Sequence, residues 1–321
     1  MSFIPIRRVS YRSVLPALLI ASMPLSARGA LVFSSTFDSA PSSSNGAEIS
    51  GVSGGTATIR DTGGTSSGAS VISASPDLGD GGYLQVNSVG AEGANLALGA
   101  RFTPASAANS LGAMFSNTGG VNALNGGIDF FMRTDPGVTS ASGGDALRFI
   151  DAAAPTEGLR LTLTSAGANT YRVEVIRQTG GNNILATNTL TFLPDTIYHL
   201  GLGLSTDAAG LTTMKLFGIE GTGAINTSAT TVAGGLLGST TFNLDEAAVT
   251  TGFTTGAYDF GKLRANTNAD FVQDLDTYRL YDSLPASFSA QVPEPATGAA
   301  LLGIGGLVLM MRGRPRHTVR Q

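Results

Sequence analysis

Residues 159–176 read LRLTLTSAGANTYRVEVI, and this stretch decides the fold class. Leucines alternate with polar side chains from Leu159 to Leu163, and a second alternating run starts at Tyr171. A period of two is typical of a strand with one buried face, and the small and polar residues 165–169 are typical of a turn. The stretch therefore predicts an antiparallel β-hairpin.

Short runs of the same kind continue along the chain. A turn at residues 180–183 leads into a run that ends near Phe192, and further strands are predicted over residues 197–204 and 214–217. No long segment with a helical period interrupts the body, residues 31–289. Many short strands at this spacing predict an all-β sandwich or barrel, and about 260 residues fit one such domain.

Composition excludes several kinds of chemistry. The 321 residues include 43 glycines but no cysteine, no tryptophan and only two histidines, His199 and His317. Disulfides, thiolate metal sites and His-rich sites are excluded. Between Leu31 and Ala290, eleven basic residues face twenty-two acidic ones, which gives the body a formal charge of −11. Such a body repels nucleic acid and anionic lipid, so calcium or a neutral or cationic polymer is the more compatible partner.

The first thirty residues predict a secretory signal peptide. Arginines up to Arg12 precede a short apolar run over residues 14–21, and small residues follow. This order is typical of export through the Sec machinery with removal by signal peptidase. Cleavage stays open between three positions, after Ala27, Gly29 or Ala30. The alternative is a short membrane anchor, which the length of the apolar run disfavours.

The last thirty residues contain three elements in a fixed order. A Val292-Pro293-Glu294-Pro295 motif is followed by an apolar stretch over residues 296–311 and then by a basic tail, residues 312–321, with Arg312, Arg314 and Arg316. Sixteen helical residues span roughly 24 Å, which predicts a short transmembrane helix with its arginines in the cytoplasm. The prolines make the helix begin after Pro295.

This ending resembles the PEP-CTERM sorting signal of Gram-negative bacteria, which the segment 290–321 matches in the order of its three elements. The resemblance implies recognition of Pro293, Glu294 and Pro295 by an exosortase, a membrane protease. It also implies a transiently membrane-anchored protein that is then transferred to the cell surface or the extracellular polysaccharide matrix. The alternative is a plain C-terminal anchor with the same final membrane segment.

The body resembles laminin-G-like and concanavalin-A-like jelly rolls. The runs that carry the likeness are 195–202, 213–218 and 274–281 with the following Leu284, together with the early Phe37-Asp38 and residues 82–86. The resemblance implies an antiparallel two-sheet jelly roll whose closing strand is followed by a short helix. It further implies a calcium ion in some members and often a glycan-binding concave face.

Catalytic spacing is absent from the sequence. Hydrolases of the concanavalin fold need two close carboxylates, and no Glu-x-Asp pattern occurs. The nearest substitute is Asp274 with Asp276, which the resemblance interprets as structural. Gly-x-Ser-x-Gly occurs at residues 51–55 and 64–68, in segments so rich in glycine and serine that chance accounts for it. His199 is expected to make a structural hydrogen bond rather than act as a base.

Two sets of candidate ligand residues remain. Acidic loop residues are candidates for calcium, with a solvated loop as the alternative reading: Asp77, Asp80, Asp135 and Asp145. Tyrosines are candidates for stacking on glycans, with core or rim packing as the alternative: Tyr83, Tyr171, Tyr258 and Tyr281. No other cofactor is predicted.

These features predict an exported, non-catalytic surface or matrix protein that an exosortase sorts and that binds or packs among exopolysaccharide. Two alternatives stay open. One is a degenerate polysaccharide hydrolase or lyase with carboxylates converging from separate strands. The other is a purely structural envelope or adhesion protein without a specific ligand.

Overall fold

A computed structural model describes most of the body of the chain. The described residues are 29–62, 68–75, 78, 81–88, 97–118, 121–134, 144–149, 157–167, 170–179, 182–191, 193, 195–243, 257–263 and 271–291. The predicted signal peptide up to residue 28 and the sorting segment from residue 292 lie outside them. Among these ranges, none of the helices is both long and apolar enough to cross a membrane.

The described chain is built from strands, with three short 3-10 helices and no α-helix in these ranges. The strands of the first half are β1 (Leu31–Ser35), β2 (Glu48–Ile49), β3 (Val52–Ser53), β4 (Gly55–Asp61), β5 (Gly68–Ser75), β6 (Gly81–Ser88), β7 (Ala97–Pro104), β8 (Phe115–Thr118), β9 (Val121–Leu124), β10 (Gly126–Thr134) and β11 (Gly144–Phe149). Those of the second half are β12 (Glu157–Gly167), β13 (Thr170–Thr179), β14 (Asn182–Thr191), β15 (Ile197–Thr206), β16 (Leu211–Glu220), β17 (Ile225–Asn226), β18 (Leu236–Asn243), β19 (Tyr258–Leu263), β20 (Phe271–Tyr281) and β21 (Ser287–Phe288). The 3-10 helices are Ala107–Asn109, Leu111–Met114 and Val232–Gly234.

Two large antiparallel sheets contain most of these strands. The first sheet runs β18-β16-β15-β10-β20-β1-β3, and β6 joins it beside β20 and carries β5. The second runs β14-β13-β12-β11-β19-β7-β4-β2. Two small pairs, β8 with β9 and β17 with β21, complete the described pairing. The predicted all-β antiparallel fold class is confirmed, and so is the predicted hairpin, which is β12 paired with β13.

Aromatic rings join the two sheets face to face. Phe33 and Tyr278 of the first sheet contact Phe102 of the second, with ring centroids 4.9 and 4.8 Å apart. Phe260 of the second sheet lies 5.0 Å from Tyr278 and 5.4 Å from Phe130. All five rings are at most 2% exposed, so the core of the sandwich is an aromatic layer between the sheets.

Strand alternation decides which side chains reach this core. Leu200, Leu202 and Leu204 of β15 point into it, while His199 and Gly201 take the opposite face. The predicted strands over residues 197–204 and 214–217 are thus confirmed as β15 and β16, which pair with each other.

β20 is the central strand of the first sheet and changes partner along its length. Residues 271–275 pair with β6, whereas residues 278–281 pair with β1. Between these halves Thr277 has a positive φ of 46°, and its N–H donates to Asp276 Oδ1 at 2.6 Å. The irregularity lets one strand serve two neighbours, as a β-bulge does.

The segment after β20 differs from the prediction. The resemblance implied a short helix around Leu284, but residues 282–291 cross the sheet in an extended path that contains β21. Pro285 has no N–H to give to a helix, and Ser287 and Phe288 pair instead with β17. We call residues 282–291 the strap.

Candidate functional site

The outer face of the first sheet, the face turned away from the second sheet, carries the densest set of polar contacts among the described residues. In β10, Ile128, Phe130 and Met132 belong to the core. Asp129 and Arg133 alternate with them and therefore point outward. Outward residues of β6, β15 and β20 meet them across the sheet, because these strands are direct or near neighbours.

A buried ionic cluster lies at the centre of this face. Asp129 and His199 are both fully buried, with His199 Nε2 2.7 Å from Asp129 Oδ2. Arg279 donates from Nε to both carboxylate oxygens, at 3.0 and 3.2 Å, and from a terminal nitrogen to Oδ2. The carboxylate is thus matched by two partners, as a buried charge requires.

His199 has no ring nitrogen left for a substrate. Its Nδ1 lies 2.7 Å from the carbonyl oxygen of Gly223, and its Nε2 is engaged by Asp129. The ring also stacks on Phe131, with centroids 4.3 Å apart. The structural hydrogen-bonding role predicted for His199 is confirmed, and its orientation away from Leu200 is confirmed as well.

Tyr281 borders the ionic cluster. Burial raises the pKa of Tyr281, the negative charge of Asp129 raises it further, and Arg279 acts in the opposite direction. The phenol therefore stays protonated at neutral pH. Its ring lies 5.8 Å from that of Phe288, so it packs beneath the strap with 7% of its surface exposed.

A second polar cluster, the Asp274 cluster, lies at the end of β20 that pairs with β6. Arg133 donates to Asp274 Oδ2 from Nε at 3.0 Å and from a terminal nitrogen at 2.8 Å, and Gln85 donates to Oδ1 at 3.0 Å. The guanidinium also lies 6.0 Å from the centre of the Tyr83 ring. Asp195, which is 73% exposed, lies 3.9 Å from Arg133. The cluster places charged and amide groups at the surface of the sheet.

Asp274 and Asp276 share the outer face, but separate partners hold them. Asp276 accepts from Gln291 Nε2 at 2.6 Å and from the N–H of Thr277, while Asp274 is held by Arg133. They are 5% and 0% exposed. Each carboxylate is engaged in a structural contact, which matches the structural interpretation given to this pair rather than an acid/base pair.

Glycines form the floor of the outer face beneath the strap. A Cβ added at Gly201 would lie 2.6 Å from the Phe288 ring, and one at Gly127 would lie 2.9 Å from it. A Cβ at Gly203 would lie 2.7 Å from Leu284. Only residues without a side chain allow Phe288 and Leu284 to approach the sheet this closely, so the strap and its floor fit each other.

Most candidate calcium ligands cannot be placed. Asp77, Asp80 and Asp135 lie outside the described residues, and Asp145 is in β11. In the ranges that are described, no group of three or more acidic or histidine side chains could hold a metal ion. Calcium binding at the four aspartates stays a prediction.

The four candidate tyrosines occupy different environments. Tyr258 is 1% exposed within the aromatic core, so no sugar can reach its ring. Its position matches core packing, the alternative to glycan stacking. Tyr83 and Tyr281 are each 7% exposed on the outer face, one beneath Arg133 and the other beneath the strap. Tyr171 is in β13. Tyr83 is thus the candidate that adjoins the Asp274 cluster.

The remaining motifs do not form a site in the described chain. In the first Gly-x-Ser-x-Gly match, Ser53 ends the two-residue strand β3, and a turn at Gly54 leads directly into β4 without a helix. The second match, at residues 64–68, lies almost entirely outside the described residues, as do Val292 to Pro295 and the arginines Arg312, Arg314 and Arg316. The sorting motif therefore stays a prediction.

Sequence reasoning missed Asp129, Arg279 and Gln291. One signal was present for the first of these. Asp129 interrupts the apolar run from Ile128 to Met132. A single carboxylate in such an apolar strand needs a cationic partner, because an unpaired buried charge is costly. Gln291 offered no comparable signal, because its partner Asp276 is recognised only from the path of the strap.

Comparison with known proteins yields distant structural likenesses only. No protein family matches the sequence, and no curated protein matches it. A Shewanella oneidensis protein of unknown function shares 13% identity over 71% of this chain and 80% of its own, with a TM-score of 0.38. Botulinum neurotoxin type C, whose cell entry depends on two ganglioside molecules, shares 11% over 80% of this chain and 48% of its own, with a TM-score of 0.42.

The endo-β-1,4-glucuronan lyase of the fungus Trichoderma reesei shares 13% identity over 71% of this chain and 91% of its own, with a TM-score of 0.40. At such identities and TM-scores these likenesses carry no information about activity.

Proposed function

We propose that the chain is an exported, non-catalytic protein of the cell surface or extracellular matrix of a Gram-negative bacterium. Signal peptidase and the Sec machinery export it, an exosortase sorts it through Pro293-Glu294-Pro295, and its body associates with exopolysaccharide. The observation that carries the proposal is the order of elements after Gln291. This residue is 6% exposed and hydrogen-bonded to the body, and the motif, the apolar stretch and the arginines follow it directly.

The charge of the body supports a polymer partner other than nucleic acid. A formal charge of −11 over residues 31–290 repels polyanions at low salt. A neutral or cationic polysaccharide meets no such repulsion. Its hydroxyl groups need hydrogen-bond donors and acceptors, which the outer face supplies at one end.

The Asp274 cluster is the part of the outer face best suited to such a polymer. Gln85 is partly exposed, 18% of the Arg133 side chain is exposed, and Asp195 is open to solvent. Amide, guanidinium and carboxylate groups together can donate to and accept from sugar hydroxyls. The strap contacts described above lie instead over the glycine floor and at Asp276.

A non-catalytic role is supported by the way the candidate catalytic groups are held. Asp274 is engaged by Arg133, Asp276 by Gln291, and both ring nitrogens of His199 by protein oxygens. None of the three is arranged to take or give a proton at a substrate.

Fractionation with mass spectrometry of the mature C-terminus tests the sorting proposal. The measurement compares cells with and without the exosortase. We expect loss of the tail beyond Pro295 and recovery of the body in surface or matrix fractions only when the exosortase is present. An intact tail in both strains would show a simple envelope anchor and would overturn the proposal.

Retention on the native exopolysaccharide tests the polymer proposal. We expect Arg133→Ala to weaken retention about tenfold, the equivalent of about 1.4 kcal/mol, because it removes the guanidinium at the centre of the Asp274 cluster. Arg101→Ala is the matched control, since Arg101 forms a similar bidentate pair with Asp259 in the second sheet. Wild-type retention no stronger than that of an unrelated acidic protein would favour a purely structural envelope role.

A further inference from the structure

The strap is fixed to the body at its start and in its middle. Asp282 exchanges hydrogen bonds with Ala30, a residue that the chain keeps when signal-peptide cleavage follows Ala27 or Gly29: its carboxylate accepts from the Ala30 N–H at 2.8 Å, and its own N–H donates to the Ala30 carbonyl at 3.2 Å. In the middle, β21 pairs with β17, and Thr227 donates to the carbonyls of Pro285 and Ala286. The strap thus follows a specific path across the outer face.

Phe288 is the apolar anchor of this path. It is fully buried in a small second core with Phe217, Ile225 and Tyr281, separate from the aromatic core between the sheets. Its ring rests on Gly127 and Gly201, which offer no side chain to hold it away from the sheet. Removing this ring would leave a cavity above these two glycines.

The end of the strap is bound to the ionic centre of the outer face. Arg279, which pairs with Asp129, also donates to the carbonyl of Ser289. Gln291 donates from its side chain to Asp276 and from its backbone to the carbonyl of Thr222 at 3.0 Å. Hydrogen bonding to the body therefore continues to the residue that directly precedes the sorting motif.

We propose that the strap sets the upstream limit of C-terminal processing: the enzyme that removes the tail cuts at or after residue 292, and the mature protein keeps residues 282–291. The inference rests on the proposed sorting function. A protease must pull an extended segment into its active site. Ala286, Ser287 and Ser289 of the strap are exposed, but the paired backbone and the buried Pro285, Phe288 and Gln291 beside them have to detach first, which requires local unfolding. The docked strap excludes cleavage from 282 to 291.

Subtilisin digestion of the purified full chain, with the cut sites located by mass spectrometry, tests the docking. This protease has broad sequence specificity, so it can cut within the strap whenever the strap leaves the sheet. We expect cleavage within residues 282–291 to be at least about tenfold faster in Phe288→Ala than in the wild type, because the strap then opens more often. Val232→Ala is the control, since Val232 is 72% exposed, and it should leave the rate unchanged.

Gly201→Ala provides a second variant with an unaltered strap sequence. The added methyl group displaces Phe288, so faster cleavage within the strap is expected here as well. Circular dichroism confirms that each variant keeps its strands before digestion. Equal cleavage rates in the wild type and both variants would overturn the proposal.

Mass spectrometry of the mature protein separates this inference from the sorting proposal. A mature C-terminus at or beyond residue 292 is the expected result, and one between 282 and 291 would overturn the limit set by the strap. If the tail is retained in cells but the strap is protected from subtilisin in vitro, the sorting proposal fails while the docking of the strap stands. If the tail is removed but the strap is cleaved as fast in the wild type as in the variants, the docking fails while the sorting proposal stands.

Discussion

The contact between Phe288 and Gly201 can be measured with a double-mutant cycle. A Cβ at residue 201 would lie 2.6 and 2.7 Å from two carbons of the Phe288 ring, closer than van der Waals contact allows. Gly201→Ala alone should therefore cost about 1–3 kcal/mol of unfolding free energy through overpacking. Phe288→Ala alone should cost about 3–5 kcal/mol, because a fully buried ring is lost.

In the double variant the two effects should not add. Without the ring, the methyl group at residue 201 has room, and alanine in a strand is favoured over glycine by about 0.5–1 kcal/mol. We expect Gly201→Ala to be neutral or stabilising in the Phe288→Ala chain, with a coupling energy of about 1–3 kcal/mol. Urea unfolding, followed by far-ultraviolet circular dichroism, measures the free energy of unfolding of all four chains. The comparison requires that the m-value, the slope of this free energy against urea concentration, is the same in each.

Gly68→Ala is the matched control. A Cβ at this glycine would make an ordinary 3.4 Å contact with Asp61, and Gly68 is far from the strap in sequence. It should show no coupling to Phe288→Ala. If Gly201→Ala costs the same free energy with and without the ring, to within about 0.5 kcal/mol, the ring does not rest on Gly201 and the reasoning fails.

Two further predictions concern buried polar groups. Asp129→Asn should cost about 3–5 kcal/mol in urea unfolding, because it leaves Arg279 without its buried counter-charge, whereas Asp195→Asn, at an exposed site, should cost less than about 0.5 kcal/mol. Burial raises the pKa of Tyr258 and of Tyr278, so the unfolded chain releases these phenolic protons first. Below about pH 10 both phenols are protonated in the folded and in the unfolded chain. As the pH rises above about 10, the free energy of unfolding should fall by up to about 1.4 kcal/mol per pH unit for each tyrosine. The double variant Tyr258→Phe/Tyr278→Phe should reduce this alkaline decline in urea unfolding to the part that Tyr281 contributes, and an unchanged decline would contradict the assignment.

Local pattern was enough to predict the strands whose side chains alternate cleanly. The hairpin of β12 and β13 and the pair of β15 and β16 follow from a period of two and from turn residues between the runs. The orientation of His199 followed from the same alternation. These properties depend only on neighbours in sequence, so a single chain reveals them.

The order of strands and the partners of buried charges depend on contacts distant in sequence. Asp129 and Arg279 are 150 residues apart, and Gln291 reaches Asp276 only because the strap turns back over the sheet. The expectation of a helix around Leu284 was wrong because the strap bonds to β17, which alternation within the strap does not reveal.

The place of β20 at the centre of the first sheet has a consequence for how the chain folds during synthesis. Its neighbours β1, β6 and β10 all emerge earlier, yet none of them can complete its pairing until residues 271–281 arrive. Such long-range pairing folds slowly and leaves strand edges open in the meantime. A nascent chain that still lacks this strand therefore cannot close its first sheet until translation has passed residue 281.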